Sequence, residues 1–366
     1  MSLKAGIVGL PNVGKSTLFS AITKKQVESS NYAFTTIEPN IASVPLIDPR
    51  LQKIAQLVKP DKIVWANFDF VDIAGLVKGA ADGAGLGNKF LGNIREVDAI
   101  IHVVRCFNDK NIQHVEQSVN PVRDKDIINY ELLLADLETI TNILNRVSKK
   151  AKSGDADALA EQQVATILKE AFENNTPARE LSFDEKQTKI IKGYHLLTFK
   201  PMIYVANLGN DQFANYQEDE NYKALAQSLL PHEKLLPICV QLESELVEVE
   251  SEEEKMELLS MYGITTSGLD LLTREAFNLL NLETYFTAGK VEVRAWVYQK
   301  GWLAPRCAGV IHTDFEKKFI KADVIAYNDF VENGGELGAK NAGKLRSEGK
   351  TYVMQDGDIC HFKFGK

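Results

Sequence analysis

The sequence has few of the residues that mark a disulfide-bonded, metal-clustered or membrane-spanning protein. It has only four cysteines, and no pair of them has the spacing of metal ligands or of a disulfide framework: Cys106, Cys239, Cys307 and Cys360. No apolar run reaches transmembrane length, and the first one is too short for a signal peptide. We therefore expect a cytoplasmic protein with reduced thiols and no membrane partner.

The chain also lacks an excess of positive charge. Its formal net charge is −8, and eight glutamates fall between Glu243 and Glu257, a stretch that we interpret as a solvated acidic surface. This balance argues against a DNA-coating protein, although a local patch could still contact RNA. Residues 281–366 differ from the rest, because they hold 13 basic and 11 acidic side chains.

What the sequence does have is a phosphate-binding loop from Gly9 to Thr17, with the letters GLPNVGKST. An apolar strand precedes this loop and a helix follows it, which is the context that gives the motif its mechanism. The backbone amides then surround an anion at a helix N-terminus, and Lys15 reaches the β- and γ-phosphates. The predicted phosphate contacts are Asn12, Val13, Gly14, Lys15, Ser16 and Thr17.

A magnesium site is predicted beside this loop. The Ser16 hydroxyl is the first ligand, and Asp72 in the run DFVDIAG holds a metal-bound water. The Gly75 amide is expected to contact the γ-phosphate. Thr36 is preferred over Thr35 as a further oxygen ligand, because it lies nearer the following strand. The loops carrying Thr36 and Gly75 are then switch elements that the γ-phosphate orders.

Hydrolysis is expected to be slow, because Leu76 stands where related enzymes place the glutamine that orients the attacking water. His114 is the candidate substitute, and the alternative is an ordinary surface-loop histidine. Asn12 is a candidate for holding a monovalent cation such as K⁺ beside the phosphates, with a local amide contact as the alternative.

The base is predicted from Asn207-Leu-Gly-Asn210, which follows an apolar strand. GTPases place Asn-Lys-x-Asp here, and the aspartate accepts two hydrogen bonds from guanine. Leu208 and Asn210 replace that lysine and aspartate. Losing a charge-assisted bidentate contact is worth on the order of 10² to 10⁴ in discrimination. The motif therefore favours ATP over GTP.

Strands and helices alternate over residues 1–106 and again after residue 200, which predicts an α/β fold with a mostly parallel sheet. Strands are expected at 3–8, 39–46, 63–71, 98–106, 201–206 and 235–240. We divide the chain into a nucleotide-binding domain (1–120 and 200–281), a helical insertion (121–199) and a smaller mixed domain (282–366). Within the last, residues 352–364 are predicted to form two strands joined at an Asp-Gly turn.

The insertion predicts an antiparallel helical hairpin. Its first helix, about 28 residues and on the order of 40 Å long, has an apolar seam in heptad spacing: Tyr130, Leu133, Leu137, Ile140, Leu144 and Val147. The second helix, from Ala156 to Glu173, has a predicted seam of Ala160, Val164, Ile167 and Ala171. The hairpin either packs on the core or projects toward a partner, and we favour projection.

The chain resembles the YchF / Obg-like ATPase family over its whole length. The resemblance rests on GLPNVGKSTLF at 9–19, TIEPN at 36–40, VDIAGL at 71–76, GLGNKFL at 85–91, VRCF at 104–107 and QDGDI at 355–359. It implies an Obg-type P-loop NTPase that prefers ATP, with a carboxy-terminal β-grasp TGS domain. It also implies slow ATP hydrolysis with Mg²⁺, His114 as the catalytic substitute, and a role in translation or stress response.

Ribosome association is part of what the resemblance implies, through the large subunit or the 70S particle and with rRNA as a further contact. The chain departs from the family at Asn210, where glutamate is usual, and at Ala33, where proline is usual. Two alternatives stay open. One is a ribosome- or RNA-binding adaptor whose nucleotide is structural, weakly favoured by Lys317, Lys318 and Lys321. The other is a true GTPase.

Overall fold

A computed structural model of the chain describes residues 3–29, 40–73 and 85–365. The strands are β1 (Lys4–Val8), β2 (Ile41–Leu46), β3 (Lys62–Val64), β4 (Ala66–Asp72), β5 (Ala99–Arg105), β6 (Met202–Asn207), β7 (Lys234–Ile238), β8 (Leu282–Ala288), β9 (Glu292–Gln299), β10 (Phe319–Ile325), β11 (Arg346–Glu348) and β12 (Ile359–Phe364).

The helices come between and after these strands. They are α1 (Lys15–Ser29), α2 (Pro49–Val58), α3 (Gly85–Arg95), α4 (Pro121–Ala151), α5 (Ala156–Glu173), α6 (Glu185–Lys192), α7 (Asn210–Phe213), α8 (Glu220–Gln227), α9 (Val240–Leu246), α10 (Glu252–Met261), α11 (Gly268–Leu279), α12 (Ala304–Ile311), α13 (Thr313–Lys317), α14 (Tyr327–Glu332) and α15 (Glu336–Asn341).

The chain divides into two compact units, so far as the structure describes them. Among the described residues, the first unit holds 3–25, 40–42, 69–73 and 85–269, and the second holds 26–29, 43–68 and 270–365. The three-domain division made from the sequence stays a prediction. In the described part of the chain, no helix combines the length and the apolar character needed to cross a bilayer.

A six-stranded sheet runs in the order β2-β4-β1-β5-β6-β7. The pairs β4–β1, β1–β5, β5–β6 and β6–β7 are all parallel, which confirms the predicted mostly parallel sheet. Every residue of β5 and β6 is buried, as expected for strands covered on both faces. Because β1 lies between β4 and β5, the loop after β1 opens at the carboxyl edge of the sheet, where α/β proteins bind ligands.

The predicted strand at 63–71 is wrong in one respect, because two strands occupy this stretch. Trp65 separates β3 from β4, and β3 pairs with β9 in a different sheet. Tryptophan is a good strand residue, so a break at this position leaves no trace in the local pattern.

The inserted segment forms the predicted antiparallel hairpin of α4 and α5. Pro121 starts α4, the Asn120 side chain caps it by accepting from the Arg123 amide, and Asp155 caps α5 by accepting from the Ala158 amide. Gly154, with φ of 82°, makes the turn between the helices. The break predicted from Ser153-Gly-Asp155 is therefore confirmed.

The hairpin core differs from the predicted seams at four positions, namely Tyr130, Ala160, Ile167 and the half-buried Ala171. Leu133, Ile140 and Val147 of α4 are buried, whereas Tyr130 is 54% exposed. On α5, Ala160 and Ile167 are exposed. The buried stripe of α5 consists instead of Ala158, Val164, Ala165, Leu168 and Phe172. Leu168 and Phe172 face inward where Ile167 and Ala171 were predicted to, and Phe172 buries more apolar area than Ala171 would.

The second unit contains a sheet in the order β11-β10-β12-β8-β9-β3. β8 and β9 form an antiparallel hairpin, and β12 pairs antiparallel with β10 and parallel with β8. The prediction of two strands in 352–364 is wrong. Before the Asp356-Gly357 turn, Val353 forms an isolated bridge with Leu303 rather than a strand beside β12. Both edges of β12 are already paired, one with β8 and the other with β10. The TGS assignment stays a prediction.

Asp136 joins the hairpin to the chain that returns toward β6. Its carboxylate is 1% exposed and accepts from the Leu197 amide at 2.9 Å, and from the Thr198 amide and hydroxyl at 2.7 and 2.6 Å. Burial raises the pKa of Asp136, and the hydrogen bonds from Thr198 and Leu197 oppose that shift. A buried carboxylate with three donors is an anchor whose loss leaves several groups unpaired.

Asp136→Ala should lower the free energy of unfolding by about 3 kcal/mol, because two buried amides and a hydroxyl lose their acceptor. Urea unfolding followed by circular dichroism measures the change. Asp157→Ala, in the first turn of α5, is the matched control, with an expected loss below about 1 kcal/mol. Equal losses in the two variants would contradict the anchoring role.

Candidate functional site

The phosphate-binding loop has the backbone that its sequence predicts. Gly9, Asn12 and Gly14 have φ of 155°, 62° and 100°, which are values that favour glycine or asparagine. A Cβ atom at Gly9 would overlap the Val103 carbonyl of β5, and one at Gly14 would overlap the Asn207 amide. The two glycines therefore let the loop lie directly against β5 and the end of β6.

Lys15 is held inside this loop. Its side chain is buried, and Nζ donates to the Leu10 carbonyl at 2.7 Å. Burial lowers the pKa of Lys15 to about 8, and the nearby Asp72 partly opposes that shift. The ammonium stays mostly protonated at neutral pH but is poorly solvated, so a bound phosphate would satisfy it.

Ser16 and Asp72 are the two described residues that were predicted to hold a magnesium ion. Ser16 is exposed in the first turn of α1, and Asp72 ends β4, where its Cα lies opposite that of Ile7 of β1. Burial raises the pKa of Asp72, and Lys15 counteracts it. A hydroxyl and a carboxylate beside a phosphate loop fit the hard-oxygen preference of Mg²⁺. The predicted partners Thr36 and Gly75, and Leu76, lie outside the described residues.

Asn207 fastens the loop to the sheet. Its side chain is buried, Nδ2 donates to the Val13 carbonyl at 2.9 Å, and Oδ1 accepts from the Val240 amide at 3.2 Å. Three separate segments thus meet on one amide. Asn207 was predicted as a nucleotide contact, and the structure places it behind the phosphate loop.

The other two residues predicted at the base have different surroundings. Leu208 is buried, and its amide donates to the Ile238 carbonyl at 2.9 Å. Asn210 begins α7, and its Oδ1 accepts from the Cys239 thiol at 2.8 Å. Cys239 is itself buried. No local signal marks its contact with Asn210, because Asn210 begins α7 whereas Cys239 follows β7.

His114 is buried, so it is not the surface-loop histidine that formed the alternative reading. Its Nδ1 accepts from the Glu116 amide at 3.0 Å, so the ring proton belongs on Nε2, which lies 2.8 Å from Asp124 Oδ2. Asp124 also accepts from Arg123. The Nε2–Oδ2 contact is close in distance but lacks the alignment of a hydrogen bond, so only Nδ1 is hydrogen-bonded among the described residues. A catalytic role for His114 would require Nε2 to leave Asp124.

The segment that carries His114 touches the phosphate loop. The Asn12 side-chain amide donates to the Gln113 backbone carbonyl at 3.1 Å, a contact between segments far apart in the chain. Arg105, at the end of β5 and 1% exposed, donates to the carbonyls of Phe107, Asp109 and Ile112. Sequence reasoning missed Arg105. Its signal was an arginine that ends an otherwise apolar buried strand.

A glycine-lined loop around a buried lysine, followed by a helix at the carboxyl edge of a parallel sheet, defines a P-loop nucleotide-binding protein. Comparison with known proteins agrees. Residues 4–152 match the family described as "50S ribosome-binding GTPase", and residues 282–365 match the carboxy-terminal domain of YchF GTPases, described as "Protein of unknown function (DUF933)".

Close relatives extend over the whole chain. The ribosome-binding ATPase YchF of Bacillus subtilis (strain 168) is 53% identical, with 100% of both chains covered. The protein of the same name from Escherichia coli O157:H7 is 48% identical over 100% of this chain and 99% of its own. The structure of the Schizosaccharomyces pombe YchF GTPase aligns with a TM-score of 0.90 at 39% identity, covering 99% of this chain and 98% of that one. The chain belongs to the YchF family.

Asn207→Ala should weaken ATP binding by about 10-fold and lower the free energy of unfolding by about 1–3 kcal/mol, because the Val13 carbonyl and the Val240 amide lose their shared partner. Isothermal titration calorimetry and urea unfolding give the two values. Asn278→Ala, at an exposed position of α11, is the control. Unchanged ATP affinity in a folded Asn207→Ala protein would show that the bridge does not shape the loop.

Proposed function

We propose that this protein is an ATP-hydrolysing molecular switch that binds the ribosome. The observation that carries the nucleotide part is the phosphate loop with its buried Lys15, held against β6 by Asn207. The names of full-length relatives that are 48–53% identical support ATP hydrolysis and ribosome binding. The same proposal has three further parts. The protein contacts the large subunit or the 70S particle and rRNA, it is located in the cytoplasm, and it acts in translation or stress response.

Base selection is the step where the local geometry argues for ATP. A guanine-binding aspartate accepts from N1–H and N2–H₂ of the base, whereas Asn210 is neutral and its Oδ1 already accepts from Cys239. Guanine would therefore meet a weaker acceptor at this position. Relatives are named both as ribosome-binding ATPases and as a GTPase, and the dissociation constants for ATP and GTP distinguish the two.

Phosphoryl transfer needs positioning and charge stabilisation from the loop. Lys15 would leave the Leu10 carbonyl for the phosphates, which compensate its lost solvation. A bound Mg²⁺ would neutralise the developing charge, with Ser16 as its ligand and Asp72 acting through a water. From the sequence pattern we also propose Thr36 as a metal ligand and Gly75 as a γ-phosphate contact.

The attacking water needs a residue other than Leu76 to orient it. We assign this role to His114, which becomes available when its contact with Asp124 opens. A K⁺ ion beside Asn12 remains a further proposal, although the Nδ2 of Asn12 donates to Gln113 in this structure. Hydrolysis that depends on opening a buried contact should be slow in the isolated protein.

Base choice can be tested by measuring ATP and GTP dissociation constants side by side. The wild-type protein should bind ATP at least 10-fold more tightly, and Asn210→Asp should reduce that ratio by at least 10-fold, because a carboxylate regains the bidentate contact with guanine. Asn215→Asp, at an exposed position nearby, is the matched control. Equal or tighter GTP binding by the wild-type protein would overturn the preference for ATP.

Catalysis can be tested by single-turnover ATP hydrolysis. Lys15→Ala should abolish it, and His114→Ala should slow it by about 10²-fold while ATP affinity changes little. His312→Ala, an exposed histidine, is the control. Unchanged turnover in a folded His114→Ala protein would rule out its role. A Lys15→Ala protein with full function in cells would favour the adaptor alternative.

A further inference from the structure

A cavity lies at the root of the helical hairpin, and the nucleotide chemistry does not use it. Its volume is about 930 Å³, within the range of small-molecule sites. The first half of α4, the segment 175–180, Tyr204 of β6 and residues 228–233 form its walls. All of them belong to the first unit.

Arg179 is the polar centre of this cavity. Its side chain is 13% exposed, and its buried Nε has no hydrogen-bond partner among the described residues. Within the described ranges the guanidinium makes only long contacts, from Nη2 to the Tyr204 hydroxyl at 3.4 Å and to Glu233 Oε1 at 3.7 Å. An arginine in this condition has donor capacity that a carboxylate ligand would satisfy.

The charges around the cavity balance. Three cations line it, namely Arg123, Lys125 and Arg179, and so do three carboxylates, namely Asp126, Glu180 and Glu233. A phosphate dianion would meet repulsion from the acidic side chains. A zwitterion fits, because its carboxylate can take Arg179 while its ammonium takes Glu233.

Glu233 is well placed for such an ammonium. Its Oε2 accepts from the Leu230 amide at 2.9 Å, which orients the carboxylate, while Oε1 makes only a 3.4 Å contact with the Tyr204 hydroxyl and the long contact with Arg179. Arg179 and Glu233 are thus neighbours without a close ion pair. A ligand with both charges can improve the pairing of each residue.

Apolar side chains complete the site. Tyr130 and Leu230 line the cavity with 54% and 40% of their surfaces exposed, and Leu133 lies beside them. Tyr130 belongs to the heptad pattern of α4 but faces this cavity rather than the hairpin core. A large apolar side chain on the ligand would cover both exposed surfaces.

We propose that this cavity binds a free α-amino acid or a short peptide with a large apolar side chain, its carboxylate on Arg179 and its ammonium on Glu233. The site is separate from the phosphate loop: Tyr204 stands three residues before Asn207 in β6. It therefore goes beyond the nucleotide chemistry proposed above, and either proposal can fail without the other.

Isothermal titration calorimetry on the full-length protein tests this, with L-phenylalanine, L-leucine and the dipeptide L-leucyl-L-phenylalanine as probes. At least one should bind with a Kd below about 1 mM. N-acetyl-L-phenylalanine and L-phenylalaninamide, which each lack one charge, should bind at least 10-fold more weakly than L-phenylalanine or not at all. Lys15→Ala should leave the binding unchanged, which separates this site from the nucleotide site.

Arg179→Met should weaken binding at least 10-fold, whereas Arg306→Met in the second unit, where the guanidinium lies over Trp302, should have no effect. Circular dichroism checks that each variant is folded. If Arg179→Met does not fold, Tyr130→Ser at its exposed position should weaken binding at least threefold. The proposal is overturned if no probe binds at 10 mM, if the blocked analogues bind as tightly as L-phenylalanine, or if a folded Arg179→Met protein binds as the wild type does.

Discussion

The amide side chain of Asn207 is the interaction on which the nucleotide site depends. It stands at the end of β6 and holds both the Val13 carbonyl of the phosphate loop and the Val240 amide that starts α9. Gly14 must lack a side chain because this amide occupies the space beside it. The position of Lys15 follows from that contact, since it is the next residue in the chain. One uncharged group thus aligns the phosphate loop, the end of β6 and the start of α9.

Charged side chains hold other irregular segments of the first unit in a similar way, by hydrogen bonds to backbone groups. Arg105 holds the loop after β5 through three backbone carbonyls, and Asp136 holds the return to β6 through two backbone amides. Glu243 accepts from the amides of Gly268 and Leu269 at the start of α11. Buried backbone groups outside helices and strands need partners, and these side chains supply them.

Local pattern was sufficient for much of the fold. The phosphate loop, the alternation of strands and helices, and the break at Gly154 all depend on residues close together in the chain, and the structure has each of them. The predictions failed where distant partners decide the outcome. Trp65 divides one predicted strand because β3 pairs with β9, and residues 352–355 do not pair with β12 because β8 and β10 do.

In the candidate site, too, features set by neighbouring residues were predicted and features set by distant residues were not. The motif around Lys15 was readable because its chemistry lies within nine consecutive residues. The burial of His114 depends on Asp124, and the surroundings of Asn210 depend on Cys239, 29 residues away. Heptad periodicity also did not predict that Tyr130 lies outside the hairpin core. A heptad position gives the face of the helix that a residue occupies, but it does not give the point at which the partner helix ends.

Because α4 is long, a small movement at its first turn produces a large movement at its far end. Asp124 sits in that turn against His114, and the whole helix is 31 residues long. At 1.5 Å per residue the helix is a rod of about 46 Å, so a tilt of about 5° at the His114 contact would carry its far end through about 4 Å. A displacement too small to repack the site would be amplified into one that a macromolecular partner can detect.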